Sequence, residues 1–263
     1  MQGTVCIVIP TYNERESIGP VLEKLLSLEL GGLNLVVLIV DDGSPDGTAE
    51  LVEEVSRRDS RVQLINRGRK MGLGSAYFDG FRHALGLGAG IMVSMDADGS
   101  HPPELVPKLV GGVLDGADVV VASRYVLGGR WAAGFRRMVI SRGANLLARV
   151  CTGLPLRDLT SGFRAYSKKA IELLTQKEFE KGYVFQVELL YRLSMGGFKL
   201  VETPFTFMER IAGRSKLSKA EILFFLKWCL KTLLRRVLRM GWNRPLAIPS
   251  TAPTSSQDIL TAP

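Results

Sequence analysis

The chain has 263 residues, of which 46% are hydrophobic and 23% charged, and it carries a formal net charge of +8. These values are typical of a folded soluble protein with one domain, or one domain and an appendage, and they exclude a largely disordered chain. The three cysteines are scattered without a CxxC or CxxH pattern, which favours buried thiols in a reducing compartment over disulfides or zinc. No basic-then-apolar leader follows Met1, so we expect no secretion.

The positive charge is concentrated near the C-terminus. Residues 213–263 contain nine Lys or Arg side chains and two acids, which leaves a net charge of only +1 for residues 1–212. A nearly neutral globule thus carries a basic segment, and this asymmetry points to a partner for that segment.

Along residues 4–122, apolar runs rich in β-branched residues alternate with segments of helical spacing. The pattern predicts strands at Thr4–Ile9, Leu33–Val40, Val62–Asn66, Ile91–Met95 and Asp118–Ala122, with Pro10 ending the first. It predicts helices at Glu16–Leu28, Thr48–Arg58, Gly74–Leu87 and around Leu105–Leu114. Strands that alternate with helices are typical of βαβ units, so we expect an α/β fold with a mainly parallel sheet flanked by helices.

Three polar clusters follow predicted strands. They read TYNE after the first strand, DDGS after the second and DADGS after Ile91–Met95. Ligands bind outside the carboxyl ends of strands in such sheets, so we expect the three clusters to converge on one rim. Ordinary Asp, Asn, Gly and Ser turns are the alternative interpretation, but turn chemistry needs neither adjacent acids nor their recurrence at each strand end.

Asp96 and Asp98 are the acids that follow the Ile91–Met95 strand. Residues i and i+2 of an extended chain point the same way, so both carboxylates can address one object. Close carboxylates repel unless a proton or a cation lies between them. Mg²⁺ or Mn²⁺ fits best, because such an ion keeps few protein ligands and shares its shell with phosphates. A glycosidase-type pair of acid and base is the rival use, which suits two separate loops better.

At these spacings the chain resembles glycosyltransferases of family 2, which have the GT-A fold, and more narrowly the polyprenol-phosphate (dolichol-phosphate) mannose synthases. The resemblance covers about residues 4–218. It is carried by the motifs IPTYNE, VDDGSPDGT, GLGSAY, DADGSHPPE, ASRY, DLTSGFRAY, GYVFQVELLYR and RIAGRSKLS, of which the last three point to a lipid-phosphate acceptor.

The resemblance implies a nucleotide-sugar donor, GDP-mannose, and a polyprenyl or dolichyl phosphate acceptor. It assigns donor binding to Pro10, Tyr12, Glu14, Val40, Asp42, Asp96, Ala97, Asp98, Ser100, Arg124, Arg210 and Lys216. Within that set Asp98, Arg124 and Arg210 are the expected catalytic residues. Asp96, Asp98 and Ser100 are the expected metal site, with a bridging water at Ser100 because relatives commonly carry the longer Gln there. The resemblance assigns the acceptor phosphate to Arg124, Arg137, Ser141 and Arg210.

The residue types also fit such an acceptor. Arginines beside a hydroxyl suit phosphate recognition by charge-assisted, forked hydrogen bonds, and Arg137 and Ser141 lie four residues apart on one helical face. A phosphate monoester has a second pKa near ~6, so it is largely anionic at neutral pH and needs no general base. We therefore expect a single displacement with inversion, aligned by the metal and the arginines. Arg142 is expected to be a solvated surface residue.

Residues 218–240 combine lysines and arginines at four-residue spacing with apolar residues on the opposite face. This pattern predicts a helix that lies on a membrane surface, since its longest apolar run is far shorter than the ~20 residues of a spanning helix. Packing on the catalytic domain or on a membrane partner subunit is the alternative. We expect a catalytic domain over residues 1–212, a basic helical region over 213–241 and a disordered tail over 242–263. The expected location is peripheral, on the cytoplasmic face of a membrane.

A UDP-glucose-dependent polyprenyl-phosphate glucosyltransferase is the nearest alternative function, with the same chemistry but another sugar and base. A non-catalytic nucleotide-sugar-binding protein is a further alternative, against which the intact Asp96, Asp98, Arg124 and Arg210 argue. Nucleic-acid binding is not expected, because no stacking platform or recognised motif accompanies the basic segment.

Overall fold

The computed structural model describes residues 3–180, 182–211 and 219–238. Within these ranges the strands are β1 (Thr4–Thr11), β2 (Asn34–Asp41), β3 (Val62–Asn66), β4 (Ile91–Ser94), β5 (Val119–Ser123), β6 (Arg130–Trp131), β7 (Arg164–Ser167), β8 (Leu200–Pro204) and β9 (Thr206–Phe207). The helices are α1 (Arg15–Leu26), α2 (Thr48–Arg58), α3 (Leu73–Gly86), α4 (Val106–Leu114), α5 (Phe135–Thr152), α6 (Lys168–Leu174), α7 (Val184–Met195) and α8 (Lys219–Val237). A 3₁₀ turn at Pro103–Leu105 precedes α4.

Seven of these strands form one sheet in the order β3-β2-β1-β4-β7-β5-β8, and β6 pairs with β9 in a short second sheet. All pairs of the large sheet are parallel except those of β7, which runs antiparallel between β4 and β5. The expected α/β fold with a mainly parallel sheet is therefore confirmed. The sequence does not predict β7, because its four residues, RAYS, are too few to show a period.

The prediction that Pro10 ends the first strand is wrong, because β1 continues to Thr11. Proline has no N–H to donate, so a strand tolerates it where one side lacks a partner. On the side of β4 the pairing of β1 stops at Val8, opposite Ser94. The backbone groups of Val8 point toward β4. Two residues further on, the backbone nitrogen of Pro10 points to the same side, beyond the last pair with β4, so its missing N–H leaves no hydrogen bond of the sheet unmade. The added residues carry β1 further toward the rim of the sheet.

The side chains of β1 alternate between two cores. Cys6 and Val8 pack on the side of α3, α5, α6, α7 and α8, whereas Val5, Ile7 and Ile9 pack on the side of α1, α2 and α4. All five side chains are fully buried. A strand that is covered on both faces is apolar at every position, which is why TVCIVI indicates a central strand.

Helix α8 packs against α5 and α7 through one face. That face buries Trp228, Cys229 and Thr232. Cys6, Cys151 and Cys229 are all free and buried, as the sequence predicts, and burial raises the pKa of Cys229 to about 12. Among the helices in the described ranges, none combines the length and the apolar character needed to cross a membrane. The tail over 242–263 lies outside the described residues.

Gly80 allows α3 to approach β1 closely, and this contact generates a prediction. A Cβ at Gly80 would lie 2.4 Å from Val8 Cγ1 and 3.1 Å from Val40 Cγ2, both in the buried sheet. We expect Gly80→Ala to lower the free energy of unfolding by about 1–3 kcal/mol through overpacking. Gly86→Ala, in the last turn of the same helix, is the matched control, because a Cβ there meets nothing within 4 Å. Urea unfolding measures both, and equal stability of the two variants would contradict this account of the packing.

Candidate active site

A cleft of about 250 Å³ opens at the carboxyl ends of β1, β2 and β4. It is lined by Pro10, Thr11, Tyr12, Glu14, Asp42, Lys70, Gly72, Leu73, Ala76, Asp96, Ala97, Asp98, Gly182, Tyr183, Arg210 and Glu221. The clusters TYNE, DDGS and DADGS each contribute to this lining. The three clusters therefore converge on one rim, as the sequence predicts.

Most of the residues expected to bind the donor line this cleft. Val40 does not, because its side chain is fully buried in the core between sheet and helices. Ser100 is fully buried beside Asp98, and Arg124 lines a separate cavity. Lys216 lies outside the described residues. The donor-binding roles of all these residues stay predictions.

Asp41, the first acid of DDGS, braces two loops of the rim. Its buried carboxylate accepts hydrogen bonds from Thr11 Oγ1 at 2.7 Å and from the N–H and hydroxyl of Ser44 at 2.7 and 2.6 Å. The Ser44 hydroxyl in turn accepts a hydrogen bond from the N–H of Asn13 at 2.9 Å. Asn13 has a φ of 57°, in the left-handed region that Asn tolerates better than most residues. Asp41 is thus a structural residue that fixes the TYNE loop against the DDGS loop.

Asp42, the second acid of DDGS, binds the segment that lines the cleft just before α3. One of its oxygens accepts hydrogen bonds from the N–H groups of Met71 and Gly72 at 3.1 and 2.8 Å. The other is paired with the guanidinium of Arg67, which also contacts Asp79 at 3.0 Å. Sequence reasoning misses Arg67, although its place one residue after β3, the neighbour of β2, could have indicated it.

Three further lining residues are also missed by the sequence prediction. The Lys70 Nζ lies 4.2 Å from the centroid of the Tyr12 ring and brings positive charge to that side of the cleft. Tyr183 comes from the residue before α7, within the motif GYVFQVELLYR. Burial, and then the charge of Glu221, raises the pKa of Tyr183 to about 12, so its phenol stays protonated at neutral pH. Glu221, on α8, is visible in the sequence as one of the two acids in the basic segment.

The segment before Tyr183 is held by a buried ion pair. Glu188 forms this pair with Arg192, four residues further along α7. Arg192 also donates hydrogen bonds to the carbonyls of Lys177 and Glu178 at 3.0 and 2.9 Å. These contacts anchor the chain just before it reaches the cleft.

Asp96 is positioned from behind by His101. The Asp96 N–H donates to His101 Nδ1 at 3.0 Å, while His101 Nε2 lies 3.8 Å from Asp96 Oδ2. His101 is buried and stacks on the Phe163 ring at a centroid distance of 4.9 Å. Burial lowers the pKa of His101, despite the nearby carboxylates, so the imidazole is neutral with its proton on Nε2. This role for the His of DADGSHPPE has no signal in the sequence beyond its place five residues after Asp96.

Asp98 is fixed through both of its carboxylate oxygens. Oδ1 accepts hydrogen bonds from the N–H and hydroxyl of Ser100 at 3.0 and 2.6 Å, and Oδ2 lies 2.6 Å from Arg210 Nε. The Ile211 N–H donates to the Asp98 carbonyl at 2.9 Å. Gly99, with a φ of 77°, lies under Ile211, where a Cβ would approach the Ile211 side chain to 2.5 Å. The expected metal residue Ser100 therefore directs its hydroxyl at Asp98, and its direct ligation of a metal stays a prediction.

The pair Asp96 and Asp98 fits a divalent cation. The Asp96 side chain is 36% exposed, whereas that of Asp98 is 8% exposed. Burial among protein atoms raises the pKa of Asp96, and the negative charge of Asp98 raises it further. His101 and Arg210 lower the pKa of Asp96, but their effects are smaller than the total increase. A divalent cation that binds carboxylate oxygens would offset the free-energy cost of ionising Asp96 beside Asp98. In the described ranges no three His, Cys, Asp or Glu side chains form a metal cage, so a bound ligand would have to supply the remaining ligands.

Arg124 is held in a buried, bidentate ion pair with Asp158. Its Nε and Nη2 donate to the two carboxylate oxygens of Asp158 at 2.7 Å each, and Nη2 also donates to Thr160 Oγ1 at 2.8 Å. The guanidinium carbon lies 4.9 Å from the Trp131 ring and 5.4 Å from the Phe207 ring. Burial alone would raise the pKa of Asp158, but the charge and hydrogen bonds of Arg124 outweigh it and lower that pKa.

The other residues expected at the acceptor phosphate lie on α5. Ser141 accepts a hydrogen bond from the Tyr125 hydroxyl at 2.9 Å, which places Ser141 near Arg124. Arg137 is exposed in the first turn of α5. Arg210 lies at the cleft with Asp98. The structure thus groups Arg124 with Ser141 and groups Arg210 with the acidic pair.

Comparison with known proteins identifies close sequence relatives. The family model described as glycosyl transferase family 2 matches residues 6–174. A polyprenol monophosphomannose synthase from Mycolicibacterium smegmatis is 42% identical over 221 residues, which cover 82% of this chain and 82% of that protein. An undecaprenyl-phosphate mannosyltransferase from Micrococcus luteus is 42% identical over 223 residues, which cover 81% of this chain and 87% of that protein.

Solved structures show the same fold. A glucosyl-3-phosphoglycerate synthase from Mycobacterium tuberculosis, in complex with Mn²⁺, UDP and glucosyl-3-phosphoglycerate, has a TM-score of 0.61 and 25% identity, covering 89% of this chain and 80% of that chain. The same enzyme with Mg²⁺ and UDP has a TM-score of 0.61 and 26% identity, covering 89% of this chain and 79% of that chain. This similarity agrees with the GT-A architecture.

The raised pKa of Asp96 predicts how replacing Asp96 with the neutral Asn changes thermal stability in metal-free buffer. Ionising Asp96 costs more in the folded than in the unfolded chain, and this cost is present above the folded pKa and absent below the unfolded pKa of ~3.9. We therefore expect Asp96→Asn to raise the midpoint of thermal unfolding at pH 7, with the gain disappearing toward pH 4. Asp98→Asn is the comparison, and it should lower the midpoint because it removes the partner of Arg210. A lower midpoint for Asp96→Asn at pH 7 would contradict the assignment.

The ion pair of Asp158 and Arg124 predicts a second pH effect. Because the pKa of Asp158 is lowered on folding, its contribution is present above the unfolded pKa of ~3.9 and is lost as the pH falls through the folded value. Asp158→Asn should lower the free energy of unfolding by about 3–5 kcal/mol at pH 7, because it leaves a buried guanidinium unpaired. The penalty should shrink in acid, so denaturant titrations at pH 7 and pH 3 check it. A penalty that is the same at both pH values would show that the charge is not its cause.

Proposed function

The chain belongs to glycosyltransferase family 2, and we propose that it transfers mannose from GDP-mannose to a polyprenyl phosphate with inversion at the anomeric carbon. The main structural support for this reaction is the acidic pair Asp96 and Asp98, which faces a cleft at the strand ends with Arg210 beside it. The sugar and acceptor are supported by two relatives, each 42% identical, that are named for transfer of mannose to polyprenol or undecaprenyl phosphate.

In this proposal Asp98 and Asp96 hold Mg²⁺ or Mn²⁺ together with the donor diphosphate. The metal supplies electrostatic stabilisation of the leaving diphosphate when it is bound. Arg210 lies 2.6 Å from Asp98 and adds a second positive charge on the leaving-group side. Ser100 keeps the Asp98 carboxylate in one orientation through its hydroxyl and N–H. Tyr12 and Lys70 form the side of the cleft that receives the nucleoside.

The acceptor phosphate acts as the nucleophile. One of its oxygens bonds to the anomeric carbon of mannose as the bond from that carbon to the β-phosphate oxygen of GDP breaks, and GDP leaves with the electron pair. The attacking phosphate is largely dianionic above its pKa of ~6, so the protein need not accept a proton. His101 agrees with this, because it is neutral, buried and already bonded to the Asp96 N–H. Arg124 and Ser141 are proposed to orient the acceptor phosphate.

We also propose that the enzyme is peripheral, on the cytoplasmic face of a membrane, and that it meets its lipid acceptor there. Helix α8 supports this through its outward face, on which Leu226, Leu230 and Leu234 are exposed. Lys227 and Lys231 flank these leucines. The sequence offers membrane contact and packing on the domain as alternatives for this helix, and the opposite face of α8 is packed. An amphipathic helix with one packed and one exposed apolar face suits attachment at a bilayer surface.

A UDP-glucose-dependent transfer is the second candidate. The observation that favours it is the fold similarity to a glucosyl-3-phosphoglycerate synthase crystallised with UDP-glucose and Mn²⁺, at 26% identity. The relatives at 42% identity favour mannose. Because the identity to the mannosyltransferases is higher, we rank UDP-glucose second.

Nucleotide selectivity separates the two candidates. We expect GDP with Mn²⁺ to raise the midpoint of thermal unfolding by several degrees, and UDP with Mn²⁺ to have a smaller effect, because binding to the native state alone adds free energy of unfolding by mass action. Differential scanning fluorimetry at equal nucleotide concentrations measures this. Stabilisation by UDP and not by GDP would overturn the choice of donor.

Transfer itself is measured with radiolabelled GDP-mannose and a short polyprenyl phosphate, as label that enters the organic phase. We expect Asp98→Asn to lower kcat by about 10²–10³-fold at saturating metal, since it removes a group that stabilises charge in the transition state. Asp115→Asn is the matched control, because Asp115 is exposed at the end of α4, away from the cleft. Near-normal turnover by Asp98→Asn would refute the assignment of the acidic pair.

A further inference from the structure

Helix α8 contributes a side chain to the cleft at the strand ends. Glu221, in the first turn of this helix, lines the cleft together with Asp96, Asp98 and Arg210. An acid in the first turn of a helix is favourable on its own account, because it lies at the positive end of the helix dipole. That effect explains an acid at this position, but it does not require the side chain to line a cleft that already holds two carboxylates.

The Glu221 side chain lies against the turn that leads into α7. A Cβ on Gly182 would lie 3.5 Å from Glu221 Cγ and 3.5 Å from Glu221 Oε1, so the carboxylate reaches the backbone of that turn. Tyr183 follows Gly182 and also lines the cleft. Burial, and then the charge of Glu221, raises the pKa of Tyr183 to about 12, which agrees with the two side chains lying on the same wall. This wall therefore combines a carboxylate that accepts hydrogen bonds with a protonated phenol that can donate one.

The start of α7 borders the acidic pair. A Cβ on Gly162 would lie 2.9 Å from Gln186 Nε2 and 3.6 Å from Asp96 Oδ1, so Gln186, in the first turn of α7, and Asp96 meet at one backbone position. The Tyr77 hydroxyl lies 3.5 Å from Asp96 Oδ1, and the Tyr77 ring contacts the ring of Phe185 at a centroid distance of 5.5 Å. The first turn of α7 and the turn just before it thus lie on the side of the cleft where Asp96 is.

The chemistry of this wall suits a neutral group that carries hydroxyls. Glu221 and Tyr183 face the part of the cleft beside the acidic pair, whereas Tyr12 and Lys70 form the side proposed for the nucleoside. A further carboxylate does not suit the diphosphate itself, because like charges repel. The hexose of a nucleotide-sugar is the neutral part that adjoins the diphosphate. Its hydroxyls can donate hydrogen bonds to a carboxylate and accept one from a phenol.

We propose that Glu221, assisted by Tyr183, binds hydroxyl groups of the donor hexose and is a specificity-determining residue of the transfer. The inference rests on the proposed function, because it takes a nucleotide-sugar as the ligand of the cleft, but it does not depend on whether the sugar is mannose or glucose. A site that hydrogen-bonds a hydroxyl through a charged group strongly rejects an analogue that lacks this hydroxyl. Helix α8 then completes the sugar-binding part of the site as well as packing on the domain.

Isothermal titration calorimetry of the full chain with Mn²⁺ tests this proposal, with GDP, GDP-mannose, UDP and UDP-glucose as ligands. Both pairs are titrated, so an error in the proposed donor does not affect the result. We expect Glu221→Gln to weaken binding of the nucleotide-sugar that the unmodified chain prefers by about 10–10²-fold, because it removes hydrogen bonds to a charged group. Binding of the corresponding free nucleotide should be unchanged or slightly tighter, because GDP and UDP lack the hexose and lose a nearby negative charge.

Glu221→Asp separates contact with the sugar from the effect of charge on the helix. This variant keeps a negative charge in the first turn of α8 but shortens the side chain by one methylene. It should therefore keep the thermal midpoint of the unmodified chain and still weaken the nucleotide-sugar by at least about fivefold. Glu50→Gln is the matched control, because Glu50 is an exposed acid in the first turn of α2 and is not among the described residues that line the cleft. It should leave every affinity unchanged.

Three outcomes would overturn the proposal. An equal loss of affinity for the free nucleotide and for the nucleotide-sugar would assign Glu221 to the base or to the shape of the cleft. Full affinity of Glu221→Gln for the nucleotide-sugar would refute the role of Glu221 and leave the proposed function intact. Absence of nucleotide-sugar binding by the unmodified chain would refute the proposed function and this inference together.

Discussion

The negative charge gathered at one rim of the sheet is the constraint on which the rest of the site depends. Carboxylates this close cannot all ionise unless each finds a positive or hydrogen-bonding partner. The partners are Arg67 for Asp42, Arg210 for Asp98, and Arg124 for Asp158. Asp96 faces the cleft with a raised pKa, and this charge is the one that a bound cation would balance. The raised pKa of Asp96 is therefore a cost that a metal bound with a diphosphate would offset.

Each balancing arginine lies at least 25 residues from its acid in the sequence, and Arg210, from the second half of the chain, completes the pair with Asp98 from the first half. Ile211 and Arg210 clamp the loop of Asp98 through its carbonyl and its carboxylate. His101 fixes Asp96 from within the same loop. Groups held by packed neighbours need little rearrangement during the reaction, which is how preorganised charge lowers a barrier. Helices α5 and α8 pack against each other on one side of the sheet.

The sequence predicts the features that depend on local pattern. The alternation of strands and helices and the convergence of three polar loops follow from period and strand ends. Features that depend on tertiary partners are out of reach. Nothing in ASRY shows that Arg124 forms an ion pair with Asp158, and nothing in DDGS shows that Asp42 forms an ion pair with Arg67. Pro10 illustrates the same limit, since its tolerance depends on where the neighbouring strand stops pairing.

The central claim is that Asp96 and Asp98 place a divalent metal against the diphosphate of the donor. Crystals of the full chain grown with Mn²⁺ and GDP test it most directly, through anomalous scattering at the manganese edge. We expect one strong anomalous peak in the cleft, within coordination distance of an Asp98 oxygen and of the GDP phosphates. An anomalous peak elsewhere, or GDP bound in the cleft with no manganese beside Asp98, would contradict it.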